Sequence, residues 1–282
     1  MTLNGIAAVL TAAGIPKEDA AFEARLLASH CTGLSPARLL TMREEEFSSP
    51  ALEEAVQRRC RREPLQYILG EWEFMGLSFA VSPDCLIPRA DTETLVEAAI
   101  PLMPHGARVA DLCTGSGCIG IALAHFRKDI AVTAVDLFPN TVAVARENSR
   151  RLHVEDRFTV ISGDVTKPLF PAGTKFDVIV SNPPYIALDE MKALEPELSF
   201  EPRSALTDEG DGLSVIRGVL RTAAETLAEN GVLLMEFGAS QGKAVLSLAA
   251  QTGFSGSILP DAAGHDRVLL ARRQSDNTKV IV

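Results

Sequence analysis

The chain has 282 residues, 46% of them hydrophobic and 23% charged, so it can bury one large core or two modest ones, and a disordered chain is excluded. Its 27 Lys and Arg against 37 Asp and Glu leave a net charge of -10, which disfavours a dedicated nucleic-acid binder because phosphate backbones repel an acidic surface that lacks a basic patch. The five cysteines (Cys31, Cys60, Cys85, Cys113 and Cys118) are odd in number and include no C-x-x-C pair, which argues against a disulfide framework or a zinc site and fits a reducing compartment.

Residues 1 to about 70 read as a small helical bundle. Apolar residues recur at helical spacing in Ile6, Val9, Leu10 and in Phe22, Leu26, Leu27. Turn signals around Gly14-Ile15-Pro16, Gly33-Leu34-Ser35-Pro36 and Ser48-Ser49-Pro50 separate the pieces. Ser35 and Ser49 are each placed to cap a helix that opens on proline. Arg58, Arg59, Arg61 and Arg62 gather on the last helix of this bundle. They read as a solvated face or as a contact for RNA or an acidic partner. Residues 71–88 follow as a hairpin linker, with Trp72, Phe74, Leu77, Phe79 and Val81 around Gly76. A helix capped by Asp91 or Thr92 then runs to about Leu102.

From Arg108 apolar runs alternate with helical stretches. Strands are expected at Val109–Leu112, Ala131–Val135, Phe158–Ile161, Phe176–Val180, Val232–Phe237 and Val268–Leu270. Helices are expected at about 118–126, 139–152, 211–229 and 240–252. This alternation implies an α/β fold, a mostly parallel sheet covered on both faces, within a domain over 89–274 and followed by a tail at 275–282.

The segment from Val109 to Gly120 follows a strand and opens a helix. Gly115, Gly117 and Gly120 satisfy G-x-G-x-x-G, and Asp136 ends the next strand, where a carboxylate can accept both hydroxyls of a ribose. That pattern alone also fits a nicotinamide-dependent enzyme. Asp111, four residues before the first of these glycines, separates the readings. A carboxylate there repels a pyrophosphate and suits a nucleoside ligand that is cationic and carries no phosphate.

After the strand ending at Val180 comes Ser181-Asn182-Pro183-Pro184-Tyr185. Two prolines remove two backbone donors and stiffen the turn. The Asn182 amide oxygen and the Pro183 carbonyl can accept the two hydrogens of a planar –NH2 group, and Tyr185 offers an aromatic face. A conjugated nitrogen is a poor nucleophile, so such a site works by positioning and electrostatics. A plain rigid turn is the competing reading.

With those residues in view, the chain resembles the protein N5-glutamine methyltransferases that act on peptide chain release factors. Further matching segments are Pro64 to Gly70, Leu86-Ile87-Pro88-Arg89 with Thr92-Glu93, Glu201-Pro202 with Ala205-Leu206, Asp211-Gly212-Leu213, and Glu236-Phe237-Gly238 with Gln241. Asn-Pro-Pro-Tyr alone is shared with methyltransferases of adenine and guanine amines in nucleic acids, so the flanking segments narrow the reading.

The resemblance implies a Rossmann-like class I methyltransferase domain with a seven-stranded sheet, an all-α N-terminal domain that helps bind the substrate protein, and a β-hairpin linker. It implies S-adenosylmethionine as cofactor and the glutamine of a release factor's Gly-Gly-Gln loop as substrate. Carried over, Asp111 and the loop Cys113, Thr114, Gly115, Ser116 and Gly117 hold the methionine part, Asp136 the ribose, and Asp164 with Val165 the adenine. Asn182 faces both cofactor and substrate, and Pro183, Pro184 and Tyr185 shape the glutamine slot. Arg89 and Glu93 brace the substrate side from the linker, or simply pair on the surface. Cys113 departs from the family, which usually has glycine there.

The rival substrates are a ribosomal-protein glutamine and an exocyclic amine of DNA or RNA; a catalytically dead binding module would show a broken loop or tetrapeptide. Residues 1–75 carry 8 Lys/Arg against 11 Asp/Glu, so no basic arm is evident. The histidines are scattered, and no metal is expected. No apolar run approaches the roughly 18–20 residues of a membrane span, and no signal peptide is read at the start. The expectation is therefore a cytoplasmic monomer with no membrane partner.

Overall fold

The computed structural model describes residues 1–43 and 45–274; the tail expected at 275–282 lies outside them. The chain divides into two compact units. Met1–Glu71 joins Glu195–Phe200 in the first, and Trp72–Leu194 joins the described residues from Glu201 onward in the second.

The first unit is helical, with α1 (Leu3–Ala12), α2 (Lys17–Thr32), α3 (Pro36–Leu39), α4 (Pro50–Cys60) and α5 (Leu65–Leu69). Ser35 and Ser49 accept the N–H groups of Arg38 and Leu52, as the Ser-Pro pairs predicted. Ile6, Leu10, Leu27 and Leu52 form its apolar interior.

The basic cluster at the end of α4 fits neither of its predicted roles. Its carboxylate partners lie inside the same unit. Arg59 is only 5% exposed; it donates to both oxygens of Glu23 and, at 2.9 Å, to Glu197. Arg62 forks onto Glu197 with two contacts of 2.7 Å and adopts a left-handed φ of 67°. Arg58 pairs with Glu63. Ion pairs with this much burial hold only while every charge keeps its partner.

The second unit opens with the hairpin of β1 (Glu71–Phe74) and β2 (Leu77–Ala80). Phe74 and Phe79 meet edge-to-face and sink into the same apolar cluster as the sheet, so the hairpin belongs to that core. Its turn places Met75 and Gly76 at φ 53° and 73°. Next come α6 (Ala90–Ala99), β3 (Arg108–Leu112), α7 (Cys118–Phe126), β4 (Ala131–Asp136), α8 (Pro139–Arg151), β5 (Phe158–Ser162) and β6 (Phe176–Ser181). The last are α9 (Arg203–Leu206), α10 (Ser214–Thr226), β7 (Leu227–Glu236), α11 (Gly242–Gln251), β8 (Phe254–Pro260) and β9 (Asp266–Arg273).

The seven strands run in the order β5-β4-β3-β6-β7-β9-β8, with β5 to β7 parallel and β9 antiparallel to both its neighbours. Apolar clusters fill both faces, which is why the central strands read as continuous apolar runs. β8 was not predicted. It is an edge strand whose Ser255, Gly256 and Ser257 are exposed, so it lacks that signature. Helix α6 starts earlier than predicted. Arg89 is its N-cap, and the Thr92 N–H already bonds the Arg89 carbonyl, which leaves the Thr92 hydroxyl free for other work. The helix predicted at 211–229 is α10, shorter at both ends, because the chain passes into β7 at Leu227.

Arg59→Met should lower the unfolding free energy of the intact chain by about 3–5 kcal/mol, since Glu23 and Glu197 would be left facing each other without the cation. Urea unfolding followed by helical circular dichroism measures it, and a loss below about 1 kcal/mol would mean that the network behaves like a surface pair.

Candidate active site

The sheet reverses its strand order between β3 and β6, so the loops leaving their carboxyl ends diverge and open a crevice, as open α/β sheets do at such a point. A cavity of about 570 Å³ lies there. Its lining includes Cys113, Thr114, Gly115 and Ser116 after β3, Asp136 after β4, Asp164 and Val165 after β5, and Asn182 and Pro184 after β6. Arg89 also lines it. Among the expected site residues, Asp111, Gly117, Pro183, Tyr185 and Glu93 do not.

Asp111 is fully buried behind the loop. One carboxylate oxygen accepts the Thr114 hydroxyl at 2.6 Å and the Gly120 N–H at 3.0 Å, so this side chain fastens the loop to the first turn of α7. A β-carbon on Gly120 would come within 2.8 Å of that oxygen, which explains a glycine there. Burial pushes the Asp111 carboxyl up to about 7 against the pull of those two hydrogen bonds. Its other oxygen is buried without a partner, and so is the Ser116 hydroxyl. Unpaired polar atoms of this kind are costly in a finished core and suit a site that receives a polar ligand. Cys113 sits at φ 59°, a left-handed conformation that disfavours side chains and that glycine would adopt freely.

The Asp136 carboxylate is held by the Gly115 N–H at 3.0 Å and the Phe138 N–H at 3.1 Å, and burial raises its proton affinity. Asp164 is engaged by Thr166 and Lys167, which hold it down to about 2 and therefore ionised. The carboxylates of Asp136 and Asp164 supply acceptors, and the orphaned Ser116 hydroxyl a further polar group, of the kind a cationic nucleoside without phosphate requires. Burial pushes the thiols of Cys85, Cys113 and Cys118 up, so all three line the cavity as neutral groups. Among the described residues, no cluster of His, Cys, Asp and Glu could hold a metal ion, and no helix is long and apolar enough to cross a membrane.

In the loop after β6, the Asn182 Nδ2 group donates to the Thr92 hydroxyl at 3.2 Å. The amide nitrogen is thereby turned to α6, and the Asn182 oxygen is the end left for the cavity. Pro183 is buried beneath it. Tyr185 is tied at both ends. Its hydroxyl donates to Glu236 at 3.3 Å, and its carbonyl accepts Gln241 Nε2 at 2.8 Å. Burial, with the neighbouring Glu236 charge, raises the Tyr185 phenol, so it stays protonated.

The two linker residues separate. Arg89 pairs with Glu201, whose other oxygen accepts the Ile87 N–H at 3.0 Å. Glu201 thus pins the stretch 84–89 that lines the cavity. Glu93 accepts the Met75 N–H at 2.6 Å, so it closes the hairpin turn and has no place in the cavity. The donor is the backbone N–H of Met75, a left-handed residue of that turn.

Four participants were not read from sequence as site residues: Thr92, Asn148, Glu201 and Glu236. Asn148, fully buried in α8, donates to the carbonyls of Ser116 and Ala80 and accepts the Ala80 N–H, joining the loop after β3 to the hairpin. A buried Asn on a helix face that also faces the sheet was the available signal.

Residues 2–70 match the family described as the PrmC N-terminal domain, and residues 90–229 match the methyltransferase small domain. A release factor glutamine methyltransferase of Neisseria gonorrhoeae is 42% identical over 254 residues, 89% of this chain and 92% of that one. One of Moorella thermoacetica is 40% identical over 274 residues, 95% of each chain. Among solved structures, a methyltransferase from Pyrococcus furiosus superposes with a TM-score of 0.53 at 18% identity, over 70% of this chain and 89% of that chain. That likeness concerns the fold alone.

The folded protein binds the Asp111 proton more tightly than the unfolded chain does, because the carboxyl lies near 7 instead of 3.8. Stability from this group is complete below about pH 4 and is lost as pH rises through about 7. Asp111→Asn should remove on the order of 2–4 kcal/mol of that loss. Urea midpoints at pH 5 and pH 8 should therefore differ less in the variant than in the wild type; equal differences would contradict the assignment.

Proposed function

Since this chain belongs to the release factor glutamine methyltransferase family, we propose that it methylates the side-chain amide nitrogen (N5) of the glutamine in the Gly-Gly-Gln loop of a peptide chain release factor. S-adenosylmethionine, when bound, supplies the electrophilic methyl group. We assign its methionine part to the loop Cys113–Gly117, its ribose to Asp136 and its adenine to the side bounded by Asp164 and Val165.

The observation that carries this reading is the orientation of Asn182. With its nitrogen committed to Thr92, its oxygen accepts one hydrogen of a substrate amide, and the Pro183 carbonyl accepts the other. The target nitrogen is thereby held with its out-of-plane lone-pair density toward the methyl donor. Two acceptors also favour the charge that grows on the N–H hydrogens as the new bond forms. No side chain has to remove a proton before attack. The rigid Pro-Pro turn avoids reorganisation during the step. Pro184 and the Arg89 side of the cavity wall border the glutamine slot, while the helical unit contacts the body of the protein substrate.

Three of the four clustered arginines are spent on Glu23, Glu63 and Glu197. This favours a protein over a nucleic acid, since little of the cluster's charge is left for a phosphate backbone. A labelled-methyl assay offering release factor, the same factor with the loop Gln→Ala, ribosomal protein and DNA tests the substrate. Label on the wild-type release factor alone is expected; label on DNA or ribosomal protein would move the substrate while keeping the chemistry. Asn182→Ala should bind cofactor normally and lose about 100-fold or more in kcat. Unchanged turnover in that variant would remove Asn182 from the reaction.

A further inference from the structure

Two consecutive prolines deprive a turn of two backbone N–H donors, so it cannot brace itself with its own hydrogen bonds. For Asn182-Pro183-Pro184-Tyr185 the bracing has to come from neighbouring segments. On the entry side it comes from the sheet. The pairing of β6 with β7 runs as far as Ser181 beside Met235, and the Ser181 hydroxyl donates to the Leu112 carbonyl at 2.7 Å. On the exit side the Ile186 N–H donates to the Leu206 carbonyl at 2.9 Å. The Tyr185 carbonyl itself is taken by a side chain. Gln241 Nε2 donates to it at 2.8 Å and reaches the Gly212 carbonyl at 3.5 Å, while Gln241 Oε1 accepts the Gly238 N–H at 2.9 Å.

All three partners of this amide are backbone groups of fixed polarity. A carbonyl only accepts and an N–H only donates, so the Gln241 amide has a single orientation. Its own backbone is fixed as well. Gln241 is the N-cap of α11, and its N–H donates to the Gly238 carbonyl at 2.7 Å. The side chain therefore projects from the corner between β7 and α11. Gly212 completes the fit at φ 72°. A β-carbon there would overlap the Tyr185 carbonyl and crowd Gln241 Nε2 at 2.9 Å. Gln241 lies outside the lining of the cavity. The Pro183 carbonyl, two residues before Tyr185, stands between the entry and exit anchors.

We propose that Gln241 is a positioning residue for methyl transfer. It fixes the exit of the turn, and thereby the direction of the Pro183 carbonyl, by tying Tyr185 to the segments around Gly212 and Gly238. This rests on the proposed reaction at Asn182 and Pro183 and adds what holds the second of its two acceptors. Gln241 acts on the reacting groups through Tyr185 alone. A small displacement of the Pro183 carbonyl is enough to slow a reaction that works by positioning.

The test compares Gln241→Met and Gln241→Glu with wild type in the full chain, with labelled S-adenosylmethionine and release factor as substrates and calorimetry for cofactor binding. Gln241→Met keeps the length and removes the amide; kcat should fall about 10- to 100-fold, with cofactor affinity within about twofold of wild type. Gln241→Glu keeps the shape and the acceptor toward Gly238 but sets a carboxylate against two carbonyls. Those carbonyls raise the proton affinity of the new carboxyl, and once protonated its O–H can donate to Tyr185 again. The ratio of its kcat to that of wild type should therefore be at least about threefold higher at about pH 6 than at about pH 8. A side chain that merely filled space would not move that ratio. A Gln241→Met enzyme with wild-type kcat, or one that loses cofactor affinity in step with kcat, overturns the proposal. Should Gln241→Met fail to fold, Gln241→Glu decides: a ratio that does not change with pH overturns it. A wild-type enzyme that does not label the release factor would instead defeat the underlying reading of the substrate, so the two failures are distinguishable.

Discussion

Five parallel strands ending along one edge of a sheet, with the order reversing between β3 and β6, constrain everything else in this molecule. The reversal sends consecutive crossover helices to opposite faces, and the space between them is the cavity. Polar residues that would be intolerable inside the strands then appear at or just beyond their carboxyl ends: Asp111, Asp136, Asp164, Asn182 and Glu236. The apolar body of each strand fixes the position of the polar residue at its tip. Burying one such aliphatic side chain contributes on the order of 1.5–3 kcal/mol, so the sheet supplies enough rigidity to hold several desolvated carboxyls close together.

Those carboxyls are used differently, and the difference follows from their neighbours. Asp164 keeps its charge through Lys167 and two contacts from Thr166. Asp136 is held by two backbone N–H groups and remains at the cavity wall. Asp111 is turned away from the cavity and spends one oxygen on the loop and helix behind it. From its place in the sequence Asp111 has a direct electrostatic role toward a cationic ligand. The geometry gives it first a mechanical one, with one unsatisfied oxygen. Both derive from the same property, a carboxylate at the end of the first sheet strand.

The legible parts of the sequence were those whose signal is local. Central strands buried on both faces read as apolar runs, whereas the edge strand β8, with Ser255 and Ser257 facing solvent, did not. The glycine loop and the Asn-Pro-Pro-Tyr turn carry their conformational logic within a few residues, so both were read. Thr92, Asn148 and Glu201 were opaque because their meaning lies in partners 90, 68 and 114 residues away. The arginine cluster was misread for the same reason: Glu63, the partner of Arg58, is local, but the carboxylates that take Arg59 and Arg62 come from Glu23 and Glu197, and nothing near α4 in sequence announces those two. Glu93 was placed at the site because it is adjacent to Arg89 and Thr92, but helical geometry turns it toward the hairpin instead.

The short stretch Glu195–Phe200, which belongs with the helical unit although it is encoded after the Asn-Pro-Pro-Tyr turn, has a consequence for how the chain is made. During synthesis the first seventy residues leave the ribosome long before Glu197 exists. Domains generally fold as they emerge, so the helices must first close around Arg59 with Glu23 as its only side-chain partner. Arg62 has to wait about 135 residues for its carboxylate. The helical unit thus reaches its final charge balance only once translation has passed the Asn-Pro-Pro-Tyr turn, and its maturation is timed by the stretch of message that follows it.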